Sequence, residues 1–166
     1  MIVRLRPWRI EDIPRFQELV NDPGVVRYMS HFSYPYTVEM AETWIRNAMD
    51  DNPPKYYAIE ADGIVVGEVG IHPGVGFQRA GVATIGYWLG SAYWGRGVAT
   101  EAVRQTVKIG AAAFRRLQAS VHEPNVASAR VLEKNGFKLE GRRRLAFVER
   151  DGTPCDELLY GYVSVS

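Results

Sequence analysis

The residues best suited to chemistry form the run Tyr93-Trp94-Gly95-Arg96-Gly97-Val98-Ala99-Thr100, where two glycines and an arginine stand directly before a long helical pattern. Glycine has no β-carbon, so backbone N–H groups in such a bend can approach a phosphate closely. The helix behind it adds unsatisfied N–H donors and the positive end of its dipole. The ligand this bend predicts is a pyrophosphate. The run lacks the lysine and serine or threonine of a P-loop, and it is not the Gly-x-Gly-x-x-Gly of a dinucleotide fold, so a nucleoside triphosphatase is disfavoured. A formal net charge of +1 gives no global attraction to nucleic acid or an anionic membrane, so an anion has to be held by a local feature of this kind.

Other chemistries find less support. Cys155 is the sole cysteine, which fits a reducing compartment, and its place after Asp151-Gly152-Thr153-Pro154 suits a strand-edge residue and not a nucleophile. His31, His72 and His122 have no metal-ligand spacing, so no metal site is expected. Aromatic residues, 11% of the chain, are scattered and not interleaved with a basic stripe, so no nucleic-acid partner is expected. Residues 1–7 alternate like a strand and are unlike a signal peptide, and no run approaches a membrane span; the expectation is a cytoplasmic protein with no membrane partner.

The elements that must position the bend follow from periodicity. Residues 2–6 read as a strand. Ile13, Phe16, Leu19 and Val20 mark one face of a helix stopped by Asn21-Asp22-Pro23. Ala41, Trp44, Ile45, Ala48 and Met49 mark a second, with Thr37 as its N-cap. Tyr57, Ile59 and Ala61 alternate, Asp62-Gly63 supplies a tight reversal, and residues 64–71 complete a hairpin; residues 82–89 form the next strand. The longest helix covers residues 98–114, with Ala99, Ala102, Val103, Thr106, Gly110, Ala113 and Phe114 facing inward. Residues 117–121 alternate again. Asn125 caps a short helix ended by Asn135-Gly136-Phe137, and residues 137–148 and 157–165 make a final hairpin. The length of 166 residues suits a single domain over 1–166. The class is α/β (α+β), with a mixed, mostly antiparallel central sheet of about seven strands flanked by about four helices.

Around the bend, Ile85-Gly86-Tyr87-Trp88-Leu89 precedes it and Ala99-Thr100-Glu101-Ala102 follows it, with Asn125-x-x-Ser128-x-x-x-x-Glu133-Lys134-x-Gly136-Phe137 further on. These motifs resemble the GNAT superfamily of acyl-CoA N-acyltransferases, most closely the branch that includes the ribosomal-protein N-terminal acetyltransferases. The likeness runs from Leu5-Arg6-Pro7 and Glu11-Asp12 to the final hairpin. It implies an acetyltransferase that uses acetyl-CoA as co-substrate and a primary amine, either a protein N-terminus or a small molecule, as acceptor. Backbone groups near Trp88 and Leu89 would bind the pantetheine arm, with an N–H near Leu89 at the oxyanion. Trp94, Gly95, Arg96, Gly97, Val98, Ala99 and Thr100 would hold the pyrophosphate, and Asn125 and Ser128 would face the pantetheine and thioester end.

The resemblance also fixes where acid–base chemistry is needed. An alkylammonium must lose a proton before it attacks, and Glu68 is the first candidate base, with His72, Glu123 and Glu149 behind it. Many members carry a tyrosine on the last helix that protonates the departing thiolate; Leu132 stands there in this chain, leaving Ser128 or water for the task. Tyr34 and Tyr36, in the aromatic loop His31-Phe32-Ser33-Tyr34-Pro35-Tyr36, occupy the acceptor side. Arg142-Arg143-Arg144 reads as a solvated strand edge or as a contact for the adenosine phosphate or an acidic substrate. Transfer would be direct, in a ternary complex, by a monomer or homodimer. The alternative is a non-catalytic acyl-CoA-binding sensor or interaction module.

Overall fold

In the computed structural model of the chain, which describes residues 1–29, 31–76 and 79–164, strands β1 (Val3–Pro7), β2 (Tyr56–Ala61), β3 (Ile64–Pro73), β4 (Val82–Leu89), β5 (Arg116–His122), β6 (Lys138–Val148) and β7 (Pro154–Val163) build one sheet. Its order is β1-β2-β3-β4-β5-β7-β6. The β1/β2, β2/β3, β5/β7 and β6/β7 pairs are antiparallel; β4 and β5 are parallel, with 82–84 in register against 116–118. The helices are α1 (Ile13–Val20), α2 (Pro23–Val26), α3 (Val38–Asp50), α4 (Val98–Ala113) and α5 (Val126–Lys134). The fold is thus the mostly antiparallel α/β (α+β) class expected.

The first helix ends at Val20, ahead of Asn21-Asp22-Pro23 as expected, but Pro23 also opens a further short helix that was not expected. The Asp22 side chain accepts the Gly24 N–H at 2.8 Å, and proline at the first helical position loses only an N–H that would have no intrahelical partner. The chain accordingly has five helices among the described residues. The inward stripe of α4 is also shorter than expected. Val98, Ala102, Val103, Thr106 and Gly110 are buried, whereas Ala113 is exposed and Phe114 lies past the helix end.

By packing, the chain divides into two compact units. The first holds Met1–Gly70 and Tyr87–Ala102. Its strands alternate between two cores. Ala58, Val65 and Trp88 join Trp8, Phe16, Phe32, Ala41 and Ile45 in an aromatic-rich cluster under α1 to α3, while Ile59, Val66, Val69 and Leu89 pack with Val98 and Ala102 of α4. Gly67 allows a close approach of β3 to β4: a β-carbon there would lie 2.1 Å from the Trp88 carbonyl oxygen.

The second unit holds the described residues of 71–86 and 103–166. Here α4 comes down on β5 at Gly110, where a β-carbon would meet Leu117 at 2.8 Å, so the small residue is a packing requirement. Gly136, at φ +82°, terminates α5 in the left-handed region, and Phe137 anchors the exit by packing on Tyr162 with ring centroids 5.6 Å apart.

Candidate active site

The bend between β4 and α4 has the backbone its sequence demands. A short 3-10 turn at Ser91–Tyr93 leaves β4, with the Trp94 N–H donating to the Ser91 carbonyl at 3.2 Å. Gly95 and Gly97 then take φ of +70° and +80°, which L-residues with side chains rarely adopt. Both are exposed, and nothing lies within 4 Å of the position a β-carbon would occupy at either. The first closure of α4 is the Glu101 N–H on the Gly97 carbonyl at 3.1 Å; amides ahead of the first closure of a helix have no intrahelical acceptor. Arg96 is exposed, its guanidinium 5.9 Å from the centroid of the Tyr93 ring. An open bend with backbone donors and one cationic side chain results, which suits a diphosphate.

Trp94 has a role the sequence did not announce. Its indole N–H donates to the Leu89 carbonyl at 2.8 Å, tying the bend back to the end of β4. The Gly90 N–H is likewise engaged, on the Val66 carbonyl at 2.9 Å. Behind the bend, Arg15 of α1 reaches the Val65 carbonyl and the Tyr93 hydroxyl, each at 2.9 Å, so α1 braces the same corner.

Glu68 lies on β3 among the aromatic residues, only 4% exposed. Its Oε2 accepts the indole N–H of Trp8 and of Trp44, each at 2.9 Å, and its Oε1 accepts that of Trp88 at 3.3 Å. Burial pushes its carboxyl up to about 7, against the pull of the Trp44, Trp88 and Trp8 bonds, which favour the anion. Sequence reasoning singled out Glu68 but not its donors: a lone tryptophan on each of three separate segments carries no local signal that they converge.

On the acceptor loop, Tyr36 is buried, with its backbone N–H on Asn21 Oδ1 at 2.8 Å and its carbonyl accepting from Gln17 and Asn21. Tyr34 is exposed. Thr37 caps α3, accepting the Met40 N–H at 3.2 Å.

In the second unit, Asn125 caps α5 through its side chain, which accepts the Ser128 N–H at 3.3 Å; both residues are half-buried. Leu132 is fully buried in α5. Of the reserve bases, His72 is half-buried near the end of β3, Glu123 pairs with Arg142 at 2.6 Å, and Glu149 is buried. The arginine run lies on edge strand β6, with Arg142 also on Asp156 and Arg143 on Glu157, each at 3.1 Å. A polar cluster not foreseen lies beside it. His122 stacks on Phe147 with centroids 3.9 Å apart and sits opposite Glu157 in the β5/β7 register. Burial lowers the His122 pKa, opposed by the charges of Glu149 and Glu157. Cys155 is buried at the start of β7 and its thiol is pushed up by burial, which disfavours the reactive thiolate. Among the described residues, no group of three or more histidine, cysteine or acidic side chains is arranged to hold a metal ion. No helix among the described residues is long and apolar enough to cross a membrane.

Comparison with known proteins places this geometry in a family. The family model for the acetyltransferase (GNAT) domain matches residues 3–138. The uncharacterized N-acetyltransferase p20 of Bacillus licheniformis is 32% identical over 149 residues, covering 84% of this chain and 81% of its own length. Spermidine N(1)-acetyltransferase of Escherichia coli (strain K12) is 27% identical over 147 residues, covering 84% of this chain and 74% of its own. The structure of Mycobacterium smegmatis RimJ in complex with CoA-disulfide superposes with a TM-score of 0.84 at 26% identity, over 98% of this chain and 82% of that one. With residues 3–138, most of the sequence, matched to the domain model, the chain belongs to the GNAT family of acetyltransferases.

Proposed function

We propose that residues 1–166 form one acetyltransferase domain that transfers an acetyl group from acetyl-CoA to a primary amine by direct attack in a ternary complex. The observation that carries this is the bend ahead of α4: two left-handed glycines, one on each side of Arg96 and open to solvent, present backbone donors and the arginine where a diphosphate would sit. The RimJ structure with a CoA species bound supports coenzyme A as the ligand.

In this scheme Trp94, Gly95, Arg96, Gly97, Val98, Ala99 and Thr100 hold the pyrophosphate, and backbone groups of Trp88 and Leu89 hold the pantetheine arm, with Asn125 and Ser128 at its thioester end. The Leu89 carbonyl already accepts from Trp94, and the scheme assigns the Leu89 N–H to the cofactor. The amine nitrogen attacks the thioester carbonyl carbon, and an N–H there stabilises the oxyanion. Before this attack the substrate ammonium gives up a proton to a base or a water relay. After it the nitrogen sheds a second proton to the same relay, the carbon–sulfur bond breaks, and the thiolate takes a proton from Ser128 or water. The aromatic loop carrying Tyr34 and Tyr36 shapes the acceptor side. A relative named for spermidine acetylation supports a primary amine as acceptor, a small molecule in that case; a protein N-terminus is the other acceptor of this scheme. No metal is needed for this chemistry. The scheme assigns the reaction to the cytoplasm and to a monomer or homodimer.

Release of free thiol from acetyl-CoA, measured across a panel of polyamines, amino acids and peptides with free N-termini, tests this directly. Amine-dependent release is expected. Tight acetyl-CoA binding without release against every acceptor would favour a non-catalytic acyl-CoA sensor, a reading that Leu132 in the tyrosine position supports.

A further inference from the structure

Glu68 combines three observations: an almost fully buried carboxyl, three N–H bonds from indoles, and a position one strand from β4. An ionised carboxylate offers about four lone-pair sites, and three of these are filled by tryptophan N–H groups. The donors come from separate places: Trp8 follows β1, Trp44 lies on α3 and Trp88 on β4. Phe16 and Phe32 fill the space among the rings, with Phe16 5.7 Å and Phe32 6.0 Å from Trp88 between centroids, so the indoles have little freedom to swing aside. Trp44 also lines a wide-open cavity of about 340 Å³ with Tyr36, Glu39, Met40, Thr43 and Asn47, beside the acceptor loop. One carboxylate therefore joins a wall of that cavity to the strand that also carries Leu89.

We propose that Glu68 is a positioning residue, which fixes the acceptor-side helix α3 and the segment after β1 to Trp88 through the three indole N–H bonds it accepts, and does not itself take the proton from the amine. The proposal rests on the assignment of β4 as the thioester strand. A base must meet the substrate proton at hydrogen-bond distance or through one water. To do so Glu68 would have to give up an indole or be reached through a packed aromatic wall. As a clamp it needs no such access. Buried polar networks that are well satisfied hold their members rigidly, and a small misplacement of reacting groups is enough to slow transfer.

The phenols of Tyr36 and Tyr56 feel the same charge, being raised by burial first and by Glu68 second, and the His31 ring lies 6.4 Å from that of Trp44. Trp94 is the internal control, because its indole donates to a backbone carbonyl and not to Glu68.

The test pairs nitrogen-15 NMR of the tryptophan indoles in the full chain with steady-state kinetics. In the wild type, the Trp8, Trp44 and Trp88 indole signals should shift together as pH passes through about 7, while Trp94 stays still; in E68Q none of the three should titrate. E68Q should raise KM for both acetyl-CoA and amine several-fold and keep the acid limb of the kcat/KM profile. W44F, which removes one donor and leaves the carboxylate, should raise the amine KM with the limb unchanged and supplies the kinetic test if E68Q does not fold. Loss of the acid limb in E68Q, with kcat down on the order of 100-fold and both KM values intact, is the signature of a base and overturns the proposal. So do three indole signals that titrate independently or not at all, or an unchanged amine KM in W44F. The acetyltransferase assignment fails separately: wild-type protein that shows the coupled titration but releases no thiol with any amine removes the reaction, and with it Glu68's part in catalysis, while leaving the clamp.

Discussion

A carboxylate enclosed by aromatic rings resists ionisation, while N–H donors aimed at it favour the charge; at Glu68 burial is the larger influence. The folded protein therefore holds this proton up to pH about 7, whereas an unfolded chain releases it near the ordinary value of 4.5. Between those limits the folded state binds more protons than the unfolded one, so stability must fall as pH rises. The full contribution is present below about 4.5 and is lost by the time pH has passed about 7. The size is roughly 3 kcal/mol by linkage. Urea unfolding of wild type and E68Q below and above this window tests it. The wild type should lose stability relative to E68Q as pH rises; parallel curves would show that Glu68 titrates at its unfolded value.

Strand, bend and helix act together at the junction of β4 and α4, and the backbone there can be separated from its side chains. Gly97→Val introduces a side chain at φ +80°, where a β-carbon would have nothing beyond its chain neighbours within 4 Å. The cost to the fold is then conformational, about 1–2 kcal/mol, while a ligand approaching the amides would meet the new methyl groups. The variant should retain its circular dichroism and cooperative unfolding and bind coenzyme A at least about tenfold more weakly, or 1.4 kcal/mol; calorimetric titration checks it, and unchanged affinity would remove the bend from the site. Elements of this kind were legible because their causes are local. Asp62 and Gly63 both take positive φ in the predicted reversal, Thr37 and Asn125 cap the helices they precede, and Gly136 ends α5. Where local rules compete, legibility fell. Pro23 follows a capping aspartate, so it starts a helix at the place where proline alone suggests a stop.

At the scale of the whole molecule, the pattern of seven strands was readable from alternation and turns, and the family from the bend with its flanking motifs. The surroundings of Glu68 were not. Trp8, Trp44 and Trp88 belong to a segment after β1, to α3 and to β4, and only the packed unit brings their N–H groups onto one carboxylate. The His122 cluster was hidden for the same reason, since Phe147 and Glu157 reach it from β6 and β7. The bend is where local sequence and tertiary structure meet in one chemical expectation, and backbone amide NMR during titration with coenzyme A tests it most directly. The amides of Arg96 to Ala99 should move downfield together and saturate at one equivalent. Saturable binding that leaves those amides unmoved and perturbs signals elsewhere would contradict the assignment of the diphosphate to this bend.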